Sequence, residues 1–495
     1  MKMAQNSPIP REIISTVETL EKAGFQAYLV GGCVRDLFLG KKPKDWDITT
    51  NAKPEEIQKL FIKTVYENVY GTVIVIDETV EDMTLRNIEI TPYRLESGYA
   101  DNRHPDQVKF SDKIEDDLKR RDFTINAIAV SLSDGAIKDI IDLYEGFKDI
   151  KDGTIRTVGN PADRFNEDAL RMMRAVRLAI ELAFTVEKDT LSAIKNNNQL
   201  LKNISKERIR DEFTKIIMSN NPKKGIEMLY ETGLLFHVTP ELEKGIGVTQ
   251  PQAHAYDVWE HLLRSLQHAA DKGYSLEIRL AALFHDIAKP KTKGISRETS
   301  QITFYGHDLV GSRETRKILE KMKFSREIVE KVAKLTRWHM FFSDTEQITL
   351  SAVRRMIVNV GKENIWDLMN LRICDRIGTG RPKEEPYRLR KYESMIEEAM
   401  KDPISVSMLK IDGKRLMEVC EIKPGPKVGF ALHALFNEVL DDPKKNTSEY
   451  LENRAKELVI LPEAELVILG ESGKERKREE EEREIGEIRK KFHVS

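Results

Sequence analysis

The sequence predicts an α+β protein, in which a small module of strands and helices over residues 1–150 precedes a region that is helical almost throughout. Short segments that are apolar or alternate between apolar and polar residues are typical of strands. These segments are 27–30, 72–76 and 87–93, with a helix-like stretch at 54–61. After residue 162, apolar residues recur at intervals of three and four, which indicates amphipathic helices. Such helices are predicted at 167–182, 206–217 and 257–270.

Composition narrows the class of protein. Hydrophobic residues make up 40% of the chain and charged residues 33%, which is typical of a globular protein rather than a disordered one. No apolar stretch approaches the ~18 residues of a membrane span, and no apolar segment typical of a secretory signal is visible, so we expect a cytoplasmic protein without a membrane partner. The net charge of −2 excludes a uniformly basic surface but permits a local basic groove.

The three cysteines, Cys33, Cys374 and Cys420, are far apart in sequence. Their number and spacing argue against a disulfide framework and against a cysteine-type zinc site. The last segment, 474–491, is mostly charged residues of both signs, so we expect a solvated helix or a disordered tail there.

The first candidate site joins a glycine turn to two aspartates. Gly31 and Gly32 follow a predicted strand and precede a predicted helix start, where backbone N–H groups and Arg35 favour a phosphate. Asp45 and Asp47 form an Asp-x-Asp pair, and on a strand both carboxylates point to one face. Two carboxylates on one face bind a hard divalent cation such as Mg²⁺, together with triphosphate oxygens.

Each piece alone is weak, because a glycine pair is usually a turn and Asp-x-Asp is usually a solvated strand end. Their ordered combination is more specific. Neither the dinucleotide fingerprint nor the Walker loop is present. Glu89, on another predicted strand, either supplies a third carboxylate or is an exposed strand residue.

A second group of charged residues follows. Arg121 is a candidate triphosphate ligand, and Asp122 either caps the next helix or orients Arg35.

A helix is then predicted to carry charged residues at every third position. They are Asp168, Arg171, Arg174 and Arg177. Asp168 can accept from an exocyclic amino group while Arg171 donates to the neighbouring ring nitrogen, a pattern that cytosine and adenine offer and that uracil and guanine do not. The alternative is a solvated stripe of ion pairs.

These segments together resemble the class II tRNA nucleotidyltransferases of the polymerase-β superfamily, which include CCA-adding enzymes and bacterial poly(A) polymerases. The segments, in order, are LVGGCVRD, DWD, EITPYR, EDDLKRRDFTINA, DLYEG, NEDALRMMRAVR and SKERIRDEF. The resemblance covers about residues 10–220 and implies a polymerase-β-like head followed by helical parts. The implied division is head 1–150, neck 151–245, body 246–385, tail 386–465 and charged extension 466–495.

The resemblance also implies roles for individual residues. Asp45 and Asp47 would hold magnesium, with Glu89 matching a third acidic position. The implied nucleotide-binding residues are Gly31, Gly32, Arg35, Arg121, Asp168, Arg171, Arg174 and Arg177. The segment 93–108, with Asn102–Pro105 at its centre, is similar to the loop that helps CCA enzymes switch from C to A addition. In the tail-like segment 408–432, Lys423 and Lys427 flank a turn that either grips RNA phosphates or simply joins two helices.

A third constellation resembles the HD phosphohydrolase superfamily. Its residues are His261, the doublet His285-Asp286, and Asp375. Imidazoles with carboxylates suit a divalent transition metal, and His307 and His339 could extend the site to a second ion. Such a body either hydrolyses phosphate esters, including 2′,3′-cyclic phosphodiesters, or serves as a scaffold.

The sequence therefore predicts an enzyme that builds or repairs the CCA end of tRNA from CTP and ATP with Mg²⁺, without an obligate protein partner. The nearest alternative is a poly(A) polymerase or a partial CC- or A-adding enzyme. Alternatives from other classes are a metal-dependent phosphohydrolase with a degenerate head and an RNA-binding protein without catalysis.

Overall fold

The chain folds into two compact units that divide between Val238 and Thr239. A computed structural model describes residues 9–66, 71–97, 107–251, 255–341, 348–401 and 405–471. Among these residues, no helix is both long and apolar enough to cross a membrane. The finer division into five segments stays a prediction.

The first unit begins with a seven-stranded sheet in the order β3-β4-β5-β2-β1-β8-β9. Its strands β2 and β5 are parallel and the other neighbours are antiparallel, and β6 and β7 form a separate antiparallel ribbon. The strands are β1 (Ala27–Val30), β2 (Asp47–Thr50), β3 (Thr64–Tyr66), β4 (Val73–Ile76), β5 (Asn87–Pro92), β6 (Arg94–Ser97), β7 (Gln107–Phe110), β8 (Ile128–Ser133) and β9 (Ala136–Asp142). This mixed sheet confirms the predicted α+β head.

Helices surround the sheet and continue the unit beyond it. They are α1 (Arg11–Lys22), α2 (Gly32–Phe38), α3 (Pro54–Leu60), α4 (Met83–Arg86), α5 (Ile114–Lys119), α6 (Gly146–Asp152), α7 (Pro161–Glu167), α8 (Leu170–Leu182), α9 (Lys188–Asn197), α10 (Lys206–Met218), α11 (Pro222–Glu231) and α12 (Leu235–Val238). Two short strands, β10 (Thr154–Ile155) and β11 (Thr185–Val186), pair in parallel between them. Helix α1 shows the amphipathic principle, because Ile13, Val17 and Leu20 are buried on one face.

The prediction of one helix over 167–182 is wrong at its start. Helix α7 ends at Glu167, and α8 begins at Leu170. Asp168 between them has an extended backbone, with φ −142° and ψ 103°. Its Oδ1 atom accepts from the Leu170 N–H at 3.0 Å, a local bond that competes with helix continuation. Asp168 therefore precedes the arginine-bearing helix instead of lying on it.

Over the residues that the structure describes, the second unit is helical apart from one small ribbon, β12 (Gly294–Ile295) with β13 (Ile302–Thr303). Its helices are α13 (Val258–Asp271), α14 (Leu276–Phe284), α15 (Lys289–Thr292), α16 (His307–Lys321), α17 (Arg326–Trp338), α18 (Leu350–Val360), α19 (Ile365–Gly378), α20 (Tyr387–Ala399), α21 (Gly413–Cys420), α22 (Pro426–Asp441), α23 (Ser448–Ile460) and α24 (Glu463–Glu471). Helix α14 is buried along nearly its whole length, so its apolar residues face neighbours on all sides. The helices from α21 onward share a core of their own, built on Leu416, Leu435, Val439 and Leu451.

Candidate active site and metal centre

The glycine turn lies at the end of β1 and brings two side chains of opposite charge together. Gly31 has φ +82°, a backbone region that favours glycine. A β-carbon built on Gly31 would lie 3.0 Å from Asp47 Oδ2 and 3.2 Å from Arg121 Nη1. The missing side chain therefore lets the turn approach a carboxylate and a guanidinium at once.

The acidic residues gather beside this turn. Asp47 is the first residue of β2, and Glu89 is its register partner on the parallel strand β5. Such partners lie side by side on one face, about 4.8 Å apart. Asp45 is exposed and lies before β2, so the expectation that both aspartates sit on a strand is wrong. Asp45 is nevertheless close enough for its charge to raise the pKa of Asp47.

The ionisation of Asp47 reflects this crowding. Burial raises the pKa of Asp47 and Asp45 adds to the effect, while Arg121 opposes both. A half-buried carboxylate with further acids around it, such as Asp47, is stabilised in its charged form by a cation. The oxygen donors of Asp45 and Asp47 fit a hard divalent ion, and those two side chains would hold it.

Asp117 holds the two arginines and was not selected from the sequence. This fully buried carboxylate accepts from Arg120 Nε and Nη2 at 2.9 and 2.6 Å and from Arg121 Nε and Nη2 at 3.2 and 2.9 Å. Burial opposes its ionisation, but the two guanidiniums prevail and lower the pKa of Asp117 to about 2. The signal in the sequence was its position three and four residues before the arginine pair.

Arg35 and Arg174 each bind a carboxylate. Arg35 donates to Asp36 Oδ1 from Nε and Nη2 at 2.9 and 2.8 Å. Arg174 donates to Asp122 Oδ2 from Nε and Nη2 at 2.8 and 2.6 Å. Burial opposes the ionisation of Asp122, yet Arg174 holds the pKa of this carboxyl well below its usual range. Asp122 thus binds Arg174 directly, and it does not touch Arg35 itself.

Asp168 and Arg171 are not paired through their side chains. Asp168 is held by Arg208 on α10, whose Nη1 and Nη2 atoms donate to its two oxygens at 3.2 and 2.8 Å. Arg171 donates to Glu167 Oε2 at 2.7 Å and to the Arg120 carbonyl at 3.1 Å. Arg208 was missed, although it lies inside one of the segments that carried the resemblance.

Arg177 donates to different carboxylates from the one that Arg174 binds. Its Nε atom donates to Glu212 Oε2 at 2.7 Å, and its Nη1 atom donates to Glu181 Oε2 at 2.7 Å. Burial raises the pKa of Glu212, but Arg177 and Arg174 outweigh it, so this buried carboxylate is ionised. The contact joins α8 to α10.

The predicted histidine–aspartate group is assembled in the second unit. His261 Nε2 lies 2.9 Å from His285 Nε2, 3.1 Å from Asp286 Oδ2 and 3.4 Å from Asp375 Oδ1. The four residues are buried, and one ligand atom of each lies within 4.8 Å of the others. Helices α13 and α19 supply the first and last of them, and the doublet directly follows α14.

Asp286 also belongs to a second group. Its Oδ1 atom lies 3.2 Å from His307 Nε2 and 3.5 Å from His339 Nε2. These three atoms are buried and have no hydrogen-bond partner among the described residues. Three converging lone pairs without donors fit a cation, so Asp286, His307 and His339 would hold a second metal ion.

Metal binding at these groups depends on their ionisation states. Burial opposes the charge on Asp286 and Asp375, yet Lys289 beside Asp286 and the hydrogen bond from His261 to Asp375 help to hold the pKa of each well below its usual range. Burial lowers the pKa of His339, which favours the neutral imidazole that ligates metals. Burial opposes the charge on His285 as well, but Asp286 prevails and raises the pKa of His285 to about 9, so metal binding there would displace a proton.

A cavity of about 1000 Å³ opens onto both groups. Cations line its wall beside the metal ligands, which favours a phosphate-bearing ligand. They are Lys289, Arg372, Arg376, Arg381 and Arg388.

The remaining predicted residues lie elsewhere. Lys423 is exposed and Lys427 is half-buried at the turn where α22 begins. Asn102–Pro105 and the charged segment 474–491 lie outside the described residues.

Three family models match the chain. They are the poly A polymerase head domain over residues 27–156, a probable RNA- and SrmB-binding site of polymerase A over 183–246, and the HD domain over 258–377.

Full-length relatives match as well. The chain is 35% identical to the CCA-adding enzyme of Ligilactobacillus salivarius over 91% of its own length and 98% of that enzyme. It is 31% identical to the CCA-adding enzyme of Limosilactobacillus reuteri over 92% of its length and 99% of that protein. A crystal structure of the Bacillus stearothermophilus CCA-adding enzyme in complex with CTP is similar, with a TM-score of 0.68 and 28% identity over 90% of this chain and 96% of that one.

The shared carboxylate gives a metal-content prediction. Protein loaded with Mn²⁺ and then desalted should lose both tightly bound ions on Asp286→Ala, because both groups use this side chain. The double variant His307→Ala/His339→Ala should lose only one. Elemental analysis by mass spectrometry measures the ratio of metal to protein.

Cys374→Ser is the matched control, since Cys374 is buried beside Asp375 but belongs to neither group. Undiminished metal in a folded Asp286→Ala variant would contradict the shared site.

Proposed function

We infer, from the premise that this chain belongs to the CCA-adding enzyme family, that its head is a nucleotidyltransferase that adds the 3′-terminal CCA of tRNA from CTP and ATP without a template. The supporting observation is the meeting of Asp47 and Arg121 at the Gly31 turn, with Glu89 beside Asp47 on the neighbouring strand. Carboxylates and a guanidinium at a turn without a side chain suit a bound triphosphate.

In this reaction the tRNA 3′ hydroxyl attacks the nucleotide α-phosphate in line, and pyrophosphate leaves. Asp45 and Asp47 would hold Mg²⁺, which supplies hydroxyl activation and charge neutralisation when bound. Arg121, held in place by Asp117, donates to the triphosphate. Arg35 adds a second donor from α2, and the Gly31 and Gly32 backbone allows the phosphates to approach closely.

Base selection is assigned to the start of α8. Asp168, fixed by Arg208, accepts from the exocyclic amino group of cytosine or adenine. Arg171 donates to the adjacent ring nitrogen. Uracil and guanine place a carbonyl against the carboxylate, and the resulting unpaired groups reject them.

The proposal also includes the domain division, the RNA-binding lysines and the cellular compartment. We keep the division into head 1–150, neck 151–245, body 246–385, tail 386–465 and extension 466–495. Lys423 and Lys427 bind phosphates of the tRNA. The enzyme acts in the cytoplasm.

An extension assay tests the reaction. With a tRNA that ends before CCA, CTP alone should add two residues, CTP with ATP should complete CCA, and UTP and GTP should add nothing. Asp47→Ala should lower the rate at least about 100-fold, because a loss of several kcal/mol in charge stabilisation is expected. An open-ended run of A residues would identify a poly(A) polymerase instead.

Neighbouring glycines provide a matched pair for the turn. Gly31→Ala should lower CCA addition at least about 100-fold, because its β-carbon would press on Asp47 and Arg121 in a strained backbone region. Gly32→Ala should cost less, since its β-carbon meets only the flexible end of Arg35, at 3.6 Å. Equal rates for the two variants would show that the close approach is unimportant.

We also propose that the second unit is a metal-dependent phosphohydrolase that acts on phosphate esters, including 2′,3′-cyclic phosphodiesters. The supporting observation is that two metal-ligand groups share Asp286 and face a cavity lined by cations. Such a centre would hold divalent transition metals, which polarise a phosphoryl group and lower the pKa of bound water.

The two activities should separate by mutation. Asp286→Ala should lower hydrolysis of 2′,3′-cyclic AMP by at least about 100-fold in Mn²⁺-loaded protein while CCA addition persists. Asp47→Ala should do the reverse. Hydrolysis that is absent with Mn²⁺, Co²⁺ and Ni²⁺ alike would show that the body serves as a scaffold.

A further inference from the structure

Asn126 connects the two arginine–carboxylate pairs of the head. It lies in the 3-10 turn Thr124–Asn126 and is buried. Its Oδ1 atom accepts from Arg35 Nη1 at 2.8 Å, and its Nδ2 atom donates to Asp122 Oδ1 at 3.2 Å. Since Asp122 Oδ2 binds Arg174, four side chains run without interruption from α2 to α8.

The amide side chain of Asn126 is suited to the centre of this path. A guanidinium only donates and a carboxylate only accepts, so the linking side chain must accept on one side and donate on the other. The amide of Asn126 does both, and its two partners fix which way it points. A carboxylate at this position would still accept from Arg35 but would repel Asp122.

The surroundings hold the path in one geometry. Asp122 Oδ1 also accepts from the Phe123 N–H at 2.8 Å. A β-carbon on Gly146 would overlap the Thr124 carbonyl oxygen, so α6 packs directly against the turn that carries Asn126. A displacement at one end of the path is therefore passed on to the other end rather than absorbed by loose packing.

We propose that Asn126 and Asp122 are positioning residues that couple Arg35 to Arg174, so that triphosphate binding at α2 and base selection at α8 are energetically linked. This inference rests on the proposed function, which places Arg35 at the triphosphate and α8 at the base.

A double-mutant cycle measures the coupling. CTP affinity without tRNA, by isothermal titration calorimetry, is determined for Arg35→Lys, Arg174→Lys and the double variant. The combined effect should depart from the product of the single effects by at least about threefold. Arg35→Lys with Arg177→Lys is the control cycle, and it should be multiplicative within about twofold, because Arg177 binds Glu212 and Glu181 instead.

The variant Asn126→Asp distinguishes the proposed coupling of Arg35 to Arg174 from a purely local role of Asn126 in orienting Arg35. If Asn126 only oriented Arg35, this variant would keep its acceptor and bind CTP as the wild type does. The proposed coupling instead predicts about a tenfold loss of CTP affinity and a reduced preference for CTP over UTP, because the new carboxylate displaces Asp122 from Arg174. Thermal unfolding within a few degrees of the wild type excludes general misfolding.

A multiplicative Arg35–Arg174 cycle in folded variants would overturn the proposal. Should Arg174→Lys fail to fold, wild-type affinity and wild-type base preference in Asn126→Asp would overturn it equally. If the wild-type chain adds CCA but the Arg35–Arg174 cycle is multiplicative, only the proposed coupling is refuted. If the wild-type chain neither binds CTP nor adds it, the proposed function is refuted.

Discussion

The candidate active site depends on the absence of one side chain. At Gly31 the backbone turns through a positive φ, and Asp47 and Arg121 come within 3.0 and 3.2 Å of the position that a β-carbon would take. The sheet register then places Glu89 beside Asp47. Helix α2 begins directly after the turn and carries Arg35. Carboxylates for a cation and donors for a phosphate are thus brought to one point by the end of a single strand.

Buried carboxylates fix the arginines that the site needs. Asp117 and Glu212 are buried and Asp122 is half-buried, and each binds a guanidinium. Such pairs contribute little net stability, because desolvating both charges offsets much of their attraction. Their effect is on geometry: an arginine held by two of its N–H groups presents the others in a defined direction, which lowers the cost of ordering the site when a nucleotide binds.

Sequence reasoning located the parts of the site that lie in local patterns. The strand at 27–30 and the histidine–aspartate residues were placed by periodicity and by motif order. The contacts that were not predicted join segments that are distant in sequence. The link from Arg208 to Asp168 spans 40 positions, and the link from Asn126 to Arg35 spans 91. The break at Asp168 was missed for a different reason, since a side-chain bond to Leu170 competes with a helix that the apolar pattern favours.

In the second unit, one carboxylate, that of Asp286, belongs to both candidate metal-ligand groups. Asp286 turns one oxygen toward His261 and the other toward His307. Burying this many nitrogen and oxygen ligands without partners is unfavourable, and mutual hydrogen bonding satisfies only part of the set. A pair of divalent ions would satisfy the remainder and tie α13, α16 and α19 together through one carboxylate. The ligands would therefore serve the packing of these helices as well as the chemistry of the cavity, because Asp286 Oδ1, His307 Nε2 and His339 Nε2 are candidate ligand atoms without a hydrogen-bond partner among the described residues.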